Sequence, residues 1–347
     1  MENNKQPYRS LFWPILLIGL GVLWLLGSFN LIPNLSLAML GVLWPVILIV
    51  IGLDILFARR LPWISGLIAL LVIALLVFML IGAPALGLKI TPRVVTEQFS
   101  EPIGEAQSAR LDLDLVEFPS TITPLQNSTN LIDASLTHAG RVIFTTSGEK
   151  QKSVSLGYER PNLNLSLTGP MDWKIGITPD LPLDLNIDGG SGSLNANLSG
   201  LDLMNFFIDV RSGSVKLILP ASQESYPSEV IGGSGSLKMD IEDGARTEMR
   251  FESHSGSVQV NIGGDVELVL RGDTGSGSVR FIVPADAEVR LEVLQSGSGS
   301  VNVAERYEKI SGRGAREGVW QSAGWETAAK RIHIIIEDQG SGSITLR

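Results

Sequence analysis

One tetrapeptide, Ser-Gly-Ser followed by an apolar residue, begins at Ser191, Ser212, Ser234, Ser255, Ser276, Ser298 and Ser341. The intervals are 21, 22, 21, 21, 22 and 43 residues, the last close to two periods. A fixed period of this size marks supersecondary units that stack, because one unit so short cannot bury its own apolar face.

Around each tetrapeptide apolar and polar residues alternate. Leu183, Leu185 and Ile187 precede the first, with Leu194, Ala196 and Leu198 after it; Val266, Leu268 and Leu270 precede the fifth, with Val279, Phe281 and Val283 after it. A period of two in Val, Ile and Leu is a strand with one buried face. Each repeat therefore reads as strand, corner, strand and a polar return such as Pro220 to Pro227. The expectation over 110–347 is an all-β domain, a single-stranded β-helix or solenoid with coils of 21–22 residues. Its repeat corners are Gly192, Gly213, Gly235, Gly256, Gly277, Gly299 and Gly342. Glycine there is expected to adopt backbone angles that other residues resist, and the small serines let coils stack closely.

The repeat is less regular at its ends. Arg110 to Ile122, RLDLDLVEFPSTI, reads as an early, atypical coil, and VIFTT, SVSLGY, LNLSL and WKIGI are further strand candidates. Residues 304–331 break the period, which Ile332 to Ile336, Ile344 and Leu346 restore. The last coil ends at Arg347, so its edge either lies under the 304–331 insertion or pairs with a second chain, as exposed sheet edges do.

Mean hydropathy is +0.24, high for a soluble chain of 347 residues, and the excess sits at the N-terminus. The segments 11–28, 37–57 and 64–81 each have the length that a helix needs to cross a hydrocarbon core of about 30 Å. No A-x-A-like cleavage site precedes Phe29, which favours three spans over a signal peptide. Lys5 and Arg9 precede the first span and Arg59 and Arg60 follow the second, whereas Phe29 to Ser36 is uncharged. Positive charge stays on the cytoplasmic side, so the N-terminus is expected inside and the β domain outside, in a multi-pass cell-membrane protein. Asp54 lies about one turn from Arg59 and Arg60 and reads as an interfacial residue. Trp13 and Trp63 suit interfacial anchoring, Trp44-Pro45 marks a kink, and Gly19, Gly21, Gly41 and Gly52 are places where helices can approach. Residues 82–109, with three prolines and no periodicity, read as a linker.

The chemistry these residues exclude is extensive. Without cysteine there is no disulfide scaffold and no thiolate metal site. His138, His254 and His333 have no ligand spacing, and acidic residues such as Asp184, Asp209, Asp240 and Glu292 fall on outward strand positions. The Gly-Ser runs lack the Lys-Ser/Thr of a phosphate loop, and no Gly-x-Ser-x-Gly elbow occurs. No catalytic, cofactor-binding or metal-ligating residue is expected. Residues 1–93 hold six basic and two acidic residues, leaving 21 basic against 34 acidic for the rest, which argues against nucleic acid as a partner. Arg271-Gly272-Asp273 fits the ordinary composition of a corner approach. Trp320 and Trp325, inside the insertion, are either a partner-binding surface or a cap on the core.

PILLIGLGVLWLL and LWPVILIVIGLDILF resemble the transmembrane region shared by LiaI and LiaF proteins of bacterial envelope-stress systems. The Ser-Gly-Ser half, with its ending VWQSAGWETAAKRIHIIIEDQGSGSITLR, resembles the toastrack or adhesin-like β domain that follows this region in LiaF-type proteins. The resemblance implies a non-enzymatic membrane protein that monitors envelope damage and restrains a partner histidine kinase. The competing expectation is a membrane-anchored adhesin or scaffold binding glycan or protein. In both, the lipid bilayer is a partner.

Overall fold

The computed structural model describes residues 12–28, 48–49, 52, 62–78, 94–115, 118–159, 171–312 and 314–347. They form a small helical unit and a large all-β unit.

In the helical unit, α1 (Phe12–Ser28) and α2 (Pro62–Val77) are apolar almost throughout and carry no charge. Pro14 sits in the first turn of α1, where its missing N–H costs nothing. Phe12 and Leu16 of α1 pack with Ala69 and Val72 of α2. Gly19 is the point of closest approach: a Cβ built there would lie 2.2 Å from the Cδ1 of Ile73. The opposite faces, with Leu17, Ile18 and Val22 on α1 and Leu67, Leu70 and Leu71 on α2, stay exposed. Helices this apolar all round are built for an apolar solvent or a core. Among the described residues no helix is long and apolar enough to cross a membrane. Most of the expected span 37–57, with Gly41, Trp44, Pro45 and Asp54, lies outside the described residues.

Among the described residues the β unit has 23 strands in two open sheets, sheet 1 with 11 strands and sheet 2 with 12. Its basic piece is a strand in sheet 2, a corner, and a shorter strand in sheet 1. Five such pieces follow in order: β8 (Pro182–Gly190) and β9 (Leu194–Asn197), β10 (Asp202–Val210) and β11 (Val215–Leu219), β12 (Tyr226–Gly232) and β13 (Ser236–Ile241), β14 (Arg246–Ser253) and β15 (Ser257–Ile262), then β16 (Glu267–Thr274) and β17 (Val279–Ile282). Neighbours pair in parallel, and Phe206 pairs with Ser228, Ser228 with Met249 and Met249 with Leu270. Period-two alternation sends every second side chain inward between the sheets, so Leu185, Phe206, Met249 and Leu270 are all buried in one continuous core. Ser228 is the polar member of that row, and its hydroxyl shares a 2.8 Å hydrogen bond with Thr247, which also donates to the Tyr226 carbonyl.

At the two ends spatial order departs from chain order. β18 (Val289–Ser296) and β19 (Val301–Val303) come next in sequence, yet β22 (Ile332–Gln339) lies between β16 and β18, and β23 (Ile344–Leu346) lies between β17 and β19. The C-terminal piece is therefore not the exposed edge that its place in the sequence suggests. It slides into a slot one layer inside, where Ile332, Ile334, Ile336, Ile344 and Leu346 bury both ways. The N-terminal end mirrors this. β2 (Ser108–Asp114) and β3 (Ser120–Pro124), the first piece, lie between β8/β9 and the later piece formed by β6 (Gln151–Glu159) and β7 (Trp173–Ile177).

Antiparallel strands finish both edges of sheet 2 and one edge of sheet 1. β1 (Val95–Pro102) pairs with β4 (Asn130–His138) at one edge of sheet 1, and β5 (Arg141–Ser147) pairs with β6 at one edge of sheet 2. The stretch 82–109, expected as linker, thus contains β1 and the start of β2; β1 is polar on most of its length because only one side of it packs. VIFTT, SVSLGY and WKIGI fall in β5, β6 and β7, and LNLSL lies outside the described residues. From the 304–331 insertion, β20 (Glu308–Ser311) and β21 (Gly318–Gln321) form a hairpin that pairs antiparallel onto β18.

Candidate functional site

The corner glycines form a ladder. A Cβ on Gly213 would lie 1.7 Å from the Gly192 carbonyl oxygen, one on Gly235 1.8 Å from that of Gly213, and one on Gly256 1.8 Å from that of Gly235. Gly277 meets Gly256 at 1.6 Å, Gly342 meets Gly277 at 1.7 Å, and Gly299 meets Gly342 at 1.7 Å. None of the seven has a positive φ. The corners need glycine because backbone stacks on backbone, not because of an unusual dihedral, which corrects the conformational expectation. The flanking serines face outward, and Ser236 donates to Ser214 across neighbouring corners at 3.2 Å.

Trp320 and Trp325 do not form an exposed surface: they are 7 % and 5 % exposed. Trp320 pairs with Leu291 and closes the inward row that runs through Ile334 and Leu270, with the Lys309 ammonium 4.6 Å above its ring. Trp325 lies edge-on to His333, with the Arg331 guanidinium at 5.5 Å. Trp320 caps the core at the far end of sheet 2, whereas Trp325 packs beside the outward His333 of β22, apart from that core.

The three histidines stay apart. His138 is buried, its Nδ1 3.1 Å from the Gly140 carbonyl and its Nε2 3.5 Å from Glu97. His254 contacts the Gly232 carbonyl, and His333 contacts Glu292 at 3.0 Å. Among the described residues no group of three His, Asp or Glu is placed to hold a metal ion. The Arg271-Gly272-Asp273 tripeptide lies within β16, where a Cβ on Gly272 would strike the Phe251 carbonyl at 1.6 Å; it is a packed strand and not a projecting loop.

Burial, and secondarily the Glu242 charge, pushes the Tyr226 phenol well above its ordinary range; burial also raises that of Tyr307. Glu317 is held below the usual carboxylate range, first by the Ser296 amide at 3.1 Å and then by the Ser296 hydroxyl at 2.9 Å. Tyr226 opens β12 in the middle of sheet 2, whereas Tyr307 and Glu317 lie in the 304–331 insertion at one end.

Residues 11–56 match the LiaI-LiaF-like transmembrane region, and residues 96–240 match the N-terminal domain of toast_rack, DUF2154. The chain joins a LiaI-LiaF-like transmembrane region to a toast-rack domain. The toast-rack match spans β1 to β13, and the strands beyond it continue the same two sheets. Among solved structures, a candidate cell adhesion protein from Clostridium sporogenes aligns at 16% identity and a TM-score of 0.36, covering 73% of this chain and 99% of that one. A candidate adhesin from Bacteroides fragilis aligns at 11% identity and a TM-score of 0.42, covering 74% and 100%. No curated protein matches the chain.

One surface of the toast-rack domain carries no motif of its own in the sequence. Two residues after the second serine of each corner stand Asn195, Lys216, Lys238, Gln259, Arg280, Asn302 and Thr345, none of them acidic. Superposing the repeats on one another is enough to find this row.

Proposed function

We propose that the protein is a non-enzymatic sensor of the cell envelope, in which the toast-rack domain responds to envelope damage and the N-terminal helices pass that state to a membrane histidine kinase. The observation that supports this is the union, in one chain, of a LiaI-LiaF-like transmembrane region and a toast-rack domain. In this reading the chain crosses the membrane three times, the cytoplasmic flanks being Lys5, Arg9, Arg59 and Arg60, and the domain lies outside as a stacked solenoid with a coil of 21–22 residues. The exposed apolar faces of α1 and α2 suit contact with lipid or with another helix. Self-association, where it occurs, uses β5, a seven-residue edge strand whose outer side has no strand partner among the described residues.

The test is genetic and biochemical together. The gene is deleted in its native host, and the full-length protein is cross-linked in intact membranes. Deletion should raise basal output of one envelope-stress kinase, and that kinase should be recovered in cross-links to residues 12–28 or 62–77. An unchanged stress response in the deletion strain rules the reading out, and so does digestion of the β domain only after the cells are opened.

A further inference from the structure

We infer that the outer face of sheet 1 is a binding surface for an extended anionic polymer of the polyol-phosphate kind, one phosphate per unit with hydroxyls between. This goes beyond the sensing role and stands on the geometry of that face.

Register puts Lys174, Thr121, Asn195, Lys216, Lys238, Gln259, Arg280, Thr345 and Asn302 in a single row across nine neighbouring strands. With strands about 4.8 Å apart, Lys216 and Lys238 are one step apart and Arg280 lies two steps further, about 10 Å on. All three are exposed. Among the described residues none of the three has a carboxylate within ion-pair distance, whereas Lys174, at the far end, pairs with Asp172 at 3.3 Å. The corner serines, with Ser214, Ser236 and Ser257 among them, form a hydroxyl row on one side. On the other side the row runs Asn197, Ile218, Asp240, Asn261 and Ile282, and the Asp240 carboxylate already accepts a hydrogen bond from Asn261.

The outer face of sheet 2 is the contrast. Arg110, Arg211, Arg250 and Arg290 each have a carboxylate partner at 2.5–3.2 Å, whereas Arg271 has none among the described residues. In a chain of net charge -9, free cations gathered in line on one face are the exception. Nucleic acid is disfavoured, since the row holds no aromatic residue on which a base can stack. A flexible polyanion fits: its phosphates meet the cations, its hydroxyls meet the serine row, and its repeats give avidity along the sheet.

The experiment uses the full-length chain in nanodiscs of zwitterionic lipid, with fluorescein-labelled poly(glycerol phosphate) as probe and anisotropy as readout across a salt series. Wild type should bind with a log–log salt slope of about -2, as three phosphate contacts at about 0.7 each imply. Lys216→Gln, Lys238→Gln and Arg280→Gln together should flatten that slope and weaken binding about tenfold or more at low salt. A charge-matched variant of sheet 2, Arg110→Gln, Arg250→Gln and Arg271→Gln, should stay within about twofold of wild type. Circular dichroism checks that both variants keep their sheets. The inference is overturned by equal loss in both variants, by equal competition from neutral dextran, or by stronger binding to phosphatidylglycerol vesicles than to the polymer.

Discussion

Gly342 rests on Gly277 although 65 positions separate them: a Cβ on Gly342 would lie 1.7 Å from the Gly277 carbonyl oxygen. This contact locks the C-terminal piece into its slot, because the corner of an inserted coil has to approach a backbone on each side. Gly299 in turn meets the Gly342 carbonyl from the other side. Gly342→Ala should therefore force a backbone shift and cost about 3 kcal/mol, at the upper end of overpacking penalties. Gly157→Ala in β6, where a Cβ meets nothing within 4 Å, should change stability by less than about 1 kcal/mol. Chaotrope unfolding of the full chain followed by circular dichroism compares the two, and equal midpoints would refute the stacking argument.

Much of this arrangement was legible in the sequence, and the limits have physical causes. Alternation around each Ser-Gly-Ser identifies the inward residues, because one face of every strand is buried. The slot of the C-terminal piece was not legible: Ile332, Ile334 and Ile336 have the same inward pattern as Val289, Leu291 and Val293, so apolar periodicity cannot tell which layer they occupy. The 43-residue interval looked like two periods, whereas it spans the β20/β21 hairpin and the return to the inner slot. β1 leaves no apolar alternation in the sequence because Thr96, Glu97 and Gln98 are all exposed, and an edge strand held by antiparallel pairing to β4 needs little apolar pattern. Trp320 and Trp325 left both a surface and a cap open, since composition does not reveal which way a side chain points.

Lys152 ties the end of β1 to β6. Its ammonium lies 2.6 Å from Glu101 and donates to the Pro102 carbonyl at 2.6 Å, and both side chains are largely buried, at 11% and 19% exposed. Lys152→Met leaves the Glu101 carboxylate without its partner and should cost about 2 kcal/mol or more, less than a fully buried pair would because both groups keep some water. Lys152→Met combined with Glu101→Leu should recover most of that loss. Thermal unfolding of the two variants measures it, and a double variant as unstable as the single one would contradict the pairing.

Glu317 makes one end of the domain acid-sensitive. Its folded pKa is depressed by the amide and hydroxyl of Ser296, so its stabilising effect is present above the unfolded carboxylate pKa of about 4 and is lost as pH falls through the lower folded value. Hydrogen exchange at Ser296 and along β21 should speed up on acidification below about pH 4 in wild type beyond the intrinsic pH trend. Glu317→Gln should show the weaker protection already at neutral pH, with no further acid response. An identical acid response in the two proteins would remove Glu317 from the account.

Gly19 and Ile73 set the separation of α1 and α2. With a Cβ on Gly19 only 2.2 Å from Ile73 Cδ1, a larger residue cannot be accommodated unless the isoleucine turns away or the helices part. Small residues at such positions allow close packing where no hydrophobic force between helices is available. Gly19→Val should weaken disulfide cross-linking between cysteines introduced at Leu16 and Val72, two residues that pack in the same interface. Adding Ile73→Ala should restore it, since the carbons removed are those that the new valine side chain would strike. Gly21→Val, on a face where a Cβ meets nothing within 4 Å, should leave cross-linking unchanged. If Gly19→Val and Gly21→Val behave alike, the helices are not held together at Gly19.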